Sequence, residues 1–294
     1  MMTTIKTIGI LSPGDMGHAV GRVLGEHGLQ VITCLRGRSE RTRNLAAQAG
    51  ISDVATYQEL VNQADIILSI MVPAQAAGAA QRVSEAIKDT EADVLYADCN
   101  AIAPQTTAEI GEIITRAGGR FVDASIIGPP PNKPGATRFY ASGPDVATFA
   151  RLNEFGLTVL ELGPEIGRAS AIKMCYAALT KGFTALCTEL LTAAEALGVS
   201  DALHKEFQTS QAALFERMQR GLPNMPPKSQ RWVGEMEEIA KTFEQAGLTP
   251  NMLLGAADMY RFVGQTTLAD RNPEDPTPAP TLTEMILVLA GSIL

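Results

Sequence analysis

Along the chain the spacing of apolar positions changes character once. Up to Leu162, short apolar runs alternate with stretches of helical periodicity; beyond Gly167 only the helical period remains. The apolar runs predict strands at Thr7–Leu11, Gln30–Leu35, Ile66–Met71, Val94–Ala97, Arg120–Ala124, Arg138–Ser142 and Leu157–Leu162. Helices are predicted between them at Met16–His27, Ser39–Ala49, Pro73–Lys88 and Pro104–Ala117. Short apolar strands separated by helices imply an α/β fold with a mostly parallel sheet covered on both faces.

The cluster Gly163-Pro164-Glu165-Ile166-Gly167 breaks both periods and marks a domain junction, giving a domain over 1–163 and an all-helical one over 164–294. In the second, helices are predicted at Arg168–Leu197, Ser200–Gln219, Pro227–Ala246, Pro250–Val263 and Thr281–Ile293, with a stiff extended connector over Arg271–Pro280. Thr281 and Glu284 form a capping box, and the helix that follows to Leu294 is almost wholly apolar. At about 1.5 Å per residue it is too short for a bilayer, so burial at a subunit contact is expected, in a homodimer built on the helical domain.

The strand at Thr7–Leu11 runs into Ser12-Pro13-Gly14-Asp15-Met16-Gly17, a glycine turn opening a helix. Such a turn brings backbone N–H groups to a pyrophosphate: Gly14 permits close approach, Gly17 lets helix and strand pack, and the helix N-terminus adds partial positive charge. This is the dinucleotide-binding signal of a Rossmann-type, doubly wound sheet. At the end of the second strand, where an acid would hold the ribose 2′-hydroxyl of NAD, the chain carries Arg36-Gly37-Arg38-Ser39, with Arg41 and Arg43 close behind. Guanidinium groups there point to a 2′-phosphate and so to NADP(H) over NAD(H). The other reading is a solvated first helical turn.

Composition narrows the field. The chain has 294 residues with 46% apolar content, enough for two domains, and a formal charge of −8 that argues against nucleic acid as a partner. No signal peptide or membrane span is expected, because Met1–Thr7 are polar and the next apolar run is a strand. Cys34, Cys99, Cys175 and Cys187 form no C-x-x-C pair, and His18, His27 and His204 are far apart. The expectation is reduced thiols in a cytoplasmic protein without a metal site.

Lys173 lies near the start of the long helix, just after the junction, in a stretch poor in charge for several turns. Partial desolvation there would lower its pKa toward the range a proton-transferring lysine needs. Thr180 and Thr184 fall close to the same helical stripe and would line a pocket, or else bond backbone carbonyls. A lysine in this position can also simply snorkel to water.

The turn Gly14-x-Met16-Gly17, the strand end Ile70-Met71-Val72-Pro73, Asp98-Cys99-Asn100 with Pro104, Phe121-Val122-Asp123-Ala124 with Gly128, and Lys173 occur in the order found in β-hydroxyacid dehydrogenases. The chain resembles 3-hydroxyisobutyrate dehydrogenase and the 6-phosphogluconate dehydrogenases over the first domain and the start of the second; the rest resembles a less studied branch. The resemblance implies that Lys173 is the general acid in carbonyl reduction and the base in alcohol oxidation, with hydride carried by the nicotinamide. It places Val72 and Pro73 beside the nicotinamide ribose and Asn100 at both cofactor and substrate.

Three departures from the family concern the substrate, and a fourth concerns the cofactor turn. Ser12 replaces the first glycine of the turn, which requires an ordinary backbone region encouraged by Pro13. Ile127-Gly128-Pro129-Pro130-Pro131 replaces a Ser-Gly-Gly loop, removing a hydroxyl, and Ala177 stands where the family has a substrate-contacting asparagine, while a later Lys-Asp pair aligns with Glu235-Met236. A larger, more apolar small-molecule pocket is expected, walled by Ile127, Gly128, Pro129 and Tyr176, with Ala177 and Thr180 beside it. The reading is an NADPH-dependent oxidoreductase acting on a carbonyl or β-hydroxy compound. Imine reduction is disfavoured because an ammonium poorly serves a cationic iminium. A non-catalytic NADP-binding sensor is the alternative from another class.

Overall fold

The computed structural model describes residues 4–131, 133, 135–271 and 278–293. It divides into two compact units between Met174 and Cys175. The first unit begins β1 (Thr7–Leu11), α1 (Gly17–Glu26), β2 (Gln30–Thr33), α2 (Glu40–Gln48), β3 (Ser52–Asp53), α3 (Tyr57–Gln63) and β4 (Ile66–Ser69). It continues with α4 (Pro73–Thr90), β5 (Leu95–Asp98), α5 (Pro104–Arg116), β6 (Arg120–Ile127), β7 (Arg138–Ser142), α6 (Val146–Ala150), β8 (Val159–Glu161) and the start of α7 (Arg168–Ala196).

The strands form one sheet in the order β3-β2-β1-β4-β5-β6-β7-β8. Every pairing is parallel except the hairpin of β6 with β7. Alternation along each strand feeds two apolar layers. Ile8, Ile10 and Leu68 pack with Val20 and Leu24 of α1 on one face. Leu11, Ile67, Tyr96 and Phe121 pack on the other with Leu60 of α3, Val83 of α4 and Ile110 and Ile114 of α5. Both faces are covered, as parallel sheets require.

Differences from the sequence expectations have local causes. β2 stops at Thr33 because the Leu35 N–H is taken by the Asp53 carboxylate at 2.8 Å. β3, α3 and α6 were too short to show a period; α3 nonetheless starts on a side-chain cap, Thr56 accepting from the Glu59 N–H. The division between units falls inside α7 rather than at the Gly163–Gly167 breaker, because the first turns of α7 are tied to β6.

The second unit holds the rest of α7 with α8 (Ser200–Ser210), α9 (Ala212–Gly221), α10 (Ser229–Gln245), α11 (Asn251–Gly264) and α12 (Leu282–Gly291). The single helix expected over Ser200–Gln219 is two, broken at Gln211, whose φ of −138° and ψ of 36° leave the helical region. Along α7, Thr180, Thr184, Thr188 and Thr192 each donate a hydroxyl hydrogen bond to the carbonyl four residues earlier, Tyr176, Thr180, Thr184 and Thr188. The Thr281–Glu284 capping box is formed; Leu282, Met285, Ile286 and Leu289 are buried while Leu287 is 53% exposed. Much of the expected connector, 272–277, lies outside the described residues, as do 1–3 and Leu294. Among the described residues no helix is long and apolar enough to cross a membrane.

Candidate active site

β1 pairs with β2 on one side and β4 on the other, so the chain reverses direction across the sheet between them. The loops leaving the carboxyl ends of β1 and β4 flank that switch point, the crevice in which sheets of this type take ligands. They are Ser12–Met16 and Ile70–Val72.

The first loop is closed by the Gly14 N–H donating to the Ser12 carbonyl at 2.7 Å. Ser12 has φ 60°, in the left-handed region, which corrects the expectation of ordinary backbone there. Turning its carbonyl toward Gly14 outweighs the restriction from Pro13, at a cost of about 1–2 kcal/mol. A Cβ on Gly17 would meet that same carbonyl oxygen at 3.1 Å, so glycine lets α1 start tightly against the turn. α1 has no side-chain cap at Met16 and no acid in its first turn. Its positive end is thus suited to an external anion, and the turn fits a dinucleotide pyrophosphate. Pro13 and Met16 complete this cradle, and the His18 ring bonds the Gly14 carbonyl at 2.7 Å.

The arginine cluster borders the same crevice. Arg41 pairs with Asp15 of the glycine turn at 2.5 Å. Arg38 reaches Gln75 in the first turn of α4 at 3.5 Å, across the switch point. Arg43 caps the Leu35 carbonyl at 2.7 Å, while Arg36 is exposed and makes no side-chain bond among the described residues. Ser39 is the N-cap of α2, accepting from the Thr42 N–H. α4 opens with Val72 as an N-cap lacking any side-chain bond and Pro73 in its first turn, and Val72 is 36% exposed.

A polar row crosses the carboxyl edge of the sheet, because Ser69, Asp98, Asp123 and Ser142 stand in matched register on β4, β5, β6 and β7. Burial pushes the Asp98 carboxyl up to about 7, against hydrogen bonds from the Asn100 backbone and side chain, with Asp123 adding to the rise. Burial likewise raises Asp123, opposed by bonds from Ser170, Ser142 and Gly167. Asn100 is 2% exposed, and its amide is spent inside the row: Oδ1 accepts from the Met71 N–H at 2.6 Å, and Nδ2 donates to Ser69 and Asp98. The Asn100 amide thus ties the Met71 strand end to the buried row from within.

Lys173 is half-buried on α7, and its ammonium donates to the Ile126 carbonyl of β6 at 2.7 Å. One position on, at the end of β6, Ile127 is buried, while Gly128 and Pro129 beyond the strand are exposed. Gly128 has φ 124°, and a Cβ there would stand 2.2 Å from the Ala136 carbonyl oxygen. Thr137 closes the loop by donating to the Pro129 carbonyl. Tyr176 is 48% exposed and Ala177 is buried. The Thr180 hydroxyl donates to the Tyr176 carbonyl of its own helix at 3.3 Å, the second of the two roles expected for it.

Sequence pattern does not single out Asp123, Ser142 and Ser170 as side chains with work to do. Their signal was an acid inside an otherwise apolar strand, a buried charge that must find donors. Among the described residues no cluster of His, Cys, Asp or Glu could hold a metal ion, and Cys34, Cys99 and Cys187 are buried free thiols.

Residues 7–155 match the family model described as the NAD binding domain of 6-phosphogluconate dehydrogenase, and residues 194–263 match a domain of unknown function, DUF1932. An uncharacterized 28.5 kDa protein of Methanothermus fervidus is 26% identical over 87% of this chain and 98% of its own. The mitochondrial 3-hydroxyisobutyrate dehydrogenase of Drosophila melanogaster is 26% identical over 68% of this chain and 58% of its own. A conserved hypothetical protein from Sinorhizobium meliloti shares the fold, with a TM-score of 0.69 at 24% identity over 99% of this chain and 97% of that one.

Proposed function

The chain belongs to the β-hydroxyacid dehydrogenase superfamily and carries its nicotinamide-dinucleotide-binding domain, and from that premise we propose that it is an NADPH-dependent reductase interconverting a carbonyl and a hydroxyl group. The observation that carries the proposal is the Lys173 ammonium held on the Ile126 carbonyl at the carboxyl end of β6. When bound, the nicotinamide supplies the hydride in reduction and takes it up in oxidation.

The chain's own residues bind, orient and move the proton. Gly14, Gly17 and the uncapped start of α1 hold the pyrophosphate, and Arg36 and Arg38 take the 2′-phosphate, with Ser39 anchoring the helix behind them. Val72 and Pro73 form the wall beside the nicotinamide ribose. Lys173 gives a proton from Nζ to the oxygen of the carbonyl being reduced, and in the reverse direction accepts it from the hydroxyl. An ammonium carries three donors, and the Ile126 bond uses one to orient the group.

The substrate is a β-hydroxyacid-like small molecule or a larger, more apolar relative, because buried Ile127 stands where the family's loop offers a hydroxyl. Gly128 and Pro129 are the exposed residues offered to it. The protein is cytoplasmic and works as a homodimer through the helical domain, for which the exposed Leu287 and Val288 of α12 supply an apolar face.

The test is NADPH oxidation, followed by absorbance, over a panel of aldehydes, ketones, β-keto acids and cyclic imines. Turnover of a carbonyl compound that falls at least 100-fold in Lys173→Met supports the proposal. Wild-type turnover in that variant overturns the proton role, turnover of imines alone moves the chemistry to C=N, and NADPH binding without oxidation identifies a sensor.

A further inference from the structure

Asp123 is fully buried on β6, yet its carboxylate meets donors alone. Oδ2 accepts from the backbone N–H of Gly167 at 2.8 Å, Ala169 at 3.1 Å and Ser170 at 3.1 Å, and from the Ser142 hydroxyl at 3.0 Å. Oδ1 accepts from the Ser170 hydroxyl at 2.7 Å. Ala169 and Ser170 lie in the first turn of α7 and Gly167 immediately precedes it, so a side chain from the sheet serves as that helix's N-terminal cap. It satisfies N–H groups no intrahelical partner can reach and places a negative charge at the positive end of a long helix.

The same strand holds the same helix a second time. Lys173 lies one turn beyond Ser170, and Ile126, which accepts its ammonium, lies three residues beyond Asp123. Two contacts, one through a carboxylate and one through a carbonyl, therefore bracket a single turn of α7 against a single stretch of β6. The first sets the axial position of the helix. The second can form only if that position is kept.

We infer that Asp123 is the positioning residue for Lys173: by capping α7 from β6, with Ser142 and Ser170 orienting its carboxylate, it fixes where the Lys173 ammonium stands. The inference rests on the role proposed for Lys173, but the placement itself is a property of the chain and can be read without turnover. Removing the charge while keeping the shape, Asp123→Asn, puts an amide NH2 where only donors converge. The first turn of α7 must shift or fray to relieve that, and Lys173 moves with it. Displacement of a reacting group by about 1 Å costs up to roughly 100-fold in rate.

Two measurements test it. In the first, lysines are reductively methylated with ¹³C and the Lys173 resonance is assigned by its loss in Lys173→Arg. Asp123→Asn is expected to move that resonance and leave the other lysines in place, whereas the surface control Glu112→Gln moves none; an unmoved Lys173 signal in folded Asp123→Asn overturns the inference whatever the protein catalyses. In the second, Asp123→Asn is expected to lower kcat at least 10-fold with KM for NADPH within 2-fold, and to add less than 2-fold to the loss in a Lys173→Met background. An equal loss in both backgrounds overturns the inference, because Asp123 would then act independently of Lys173. Ser142→Ala, which removes one donor and keeps the carboxylate, serves if Asp123→Asn does not fold: it is expected to shift the Lys173 resonance in the same direction by a smaller amount, and no shift counts against the inference.

Discussion

Arg41 reaches across from the first turn of α2 to Asp15, Nη2 to Oδ1 at 2.5 Å, so an acid set inside the glycine turn is neutralised by a neighbouring guanidinium. Both side chains are about half exposed, 46% and 57%, which makes the pair worth little to stability. Its importance is local charge. Under the proposed cofactor role, an Asp15 carboxylate without Arg41 would stand unmasked beside the pyrophosphate, with Arg36 and Arg38 left to hold the 2′-phosphate. Arg41→Gln is expected to loosen NADPH about 10-fold, roughly 1.4 kcal/mol, with little change in Tm. Asp15→Asn in the same chain is expected to restore most of that affinity. Arg36→Gln with Arg38→Gln is expected instead to weaken NADPH selectively over NADH. Fluorescence titration with both cofactors separates the two effects, and equal losses for NADPH and NADH in the last variant would remove the 2′-phosphate from the role of those arginines.

Gly128 turns β6 out of the sheet beside the hairpin with β7, and its geometry leaves room for nothing larger. Its φ of 124° is one that side chains rarely adopt, and the missing Cβ would stand 2.2 Å from a backbone carbonyl that cannot swing away. Gly128→Ala is expected to destabilise the protein by at least about 2 kcal/mol, through strain at a special φ together with overpacking. Urea denaturation checks it: a midpoint equal to that of the wild type would mean the loop relaxes without cost.

What could be read beforehand was local. The caps at Ser39 and Thr281 and the proline starts at Pro73 and Pro104 are written within four residues of sequence, and each helix begins there. The glycine turn and the arginines after β2 were legible for the same reason. Asp123 was not, since its backbone donors Gly167, Ala169 and Ser170 lie 44 to 47 residues away and no periodicity marks them. The hydrogen bonding of Asn100 was not legible either, because its partners come from the neighbouring strand β4 and its own strand's acid. Ser12 leaves ordinary backbone because the closing bond from Gly14, invisible in a local rule about the residue before proline, holds its carbonyl. The break at Gln211 carries no glycine or proline, so nothing in the pattern announced it.

Asp98 makes the stability of the first unit depend on pH in a direction opposite to that of a salt-bridged acid. Its carboxyl is fully buried and pushed up to about 7, chiefly by desolvation, while in the unfolded chain an aspartate titrates near 3.9. Between those values the folded protein binds a proton that the unfolded chain has released. Stability from this group is therefore fully present below about pH 4 and is lost as pH rises through 7. Asp123, in register beside it and also raised by burial, adds to the same trend. The loss is on the order of a few kcal/mol for Asp98 alone. In Asp98→Asn the titrating group is gone, while a carbonyl oxygen remains to accept from Asn100. The expected outcome in urea denaturation is a wild-type midpoint that drops from pH 5 to pH 8 and a variant midpoint that drops much less, with the two closest at pH 5. Parallel profiles for wild type and variant would show that Asp98 does not carry the pH dependence.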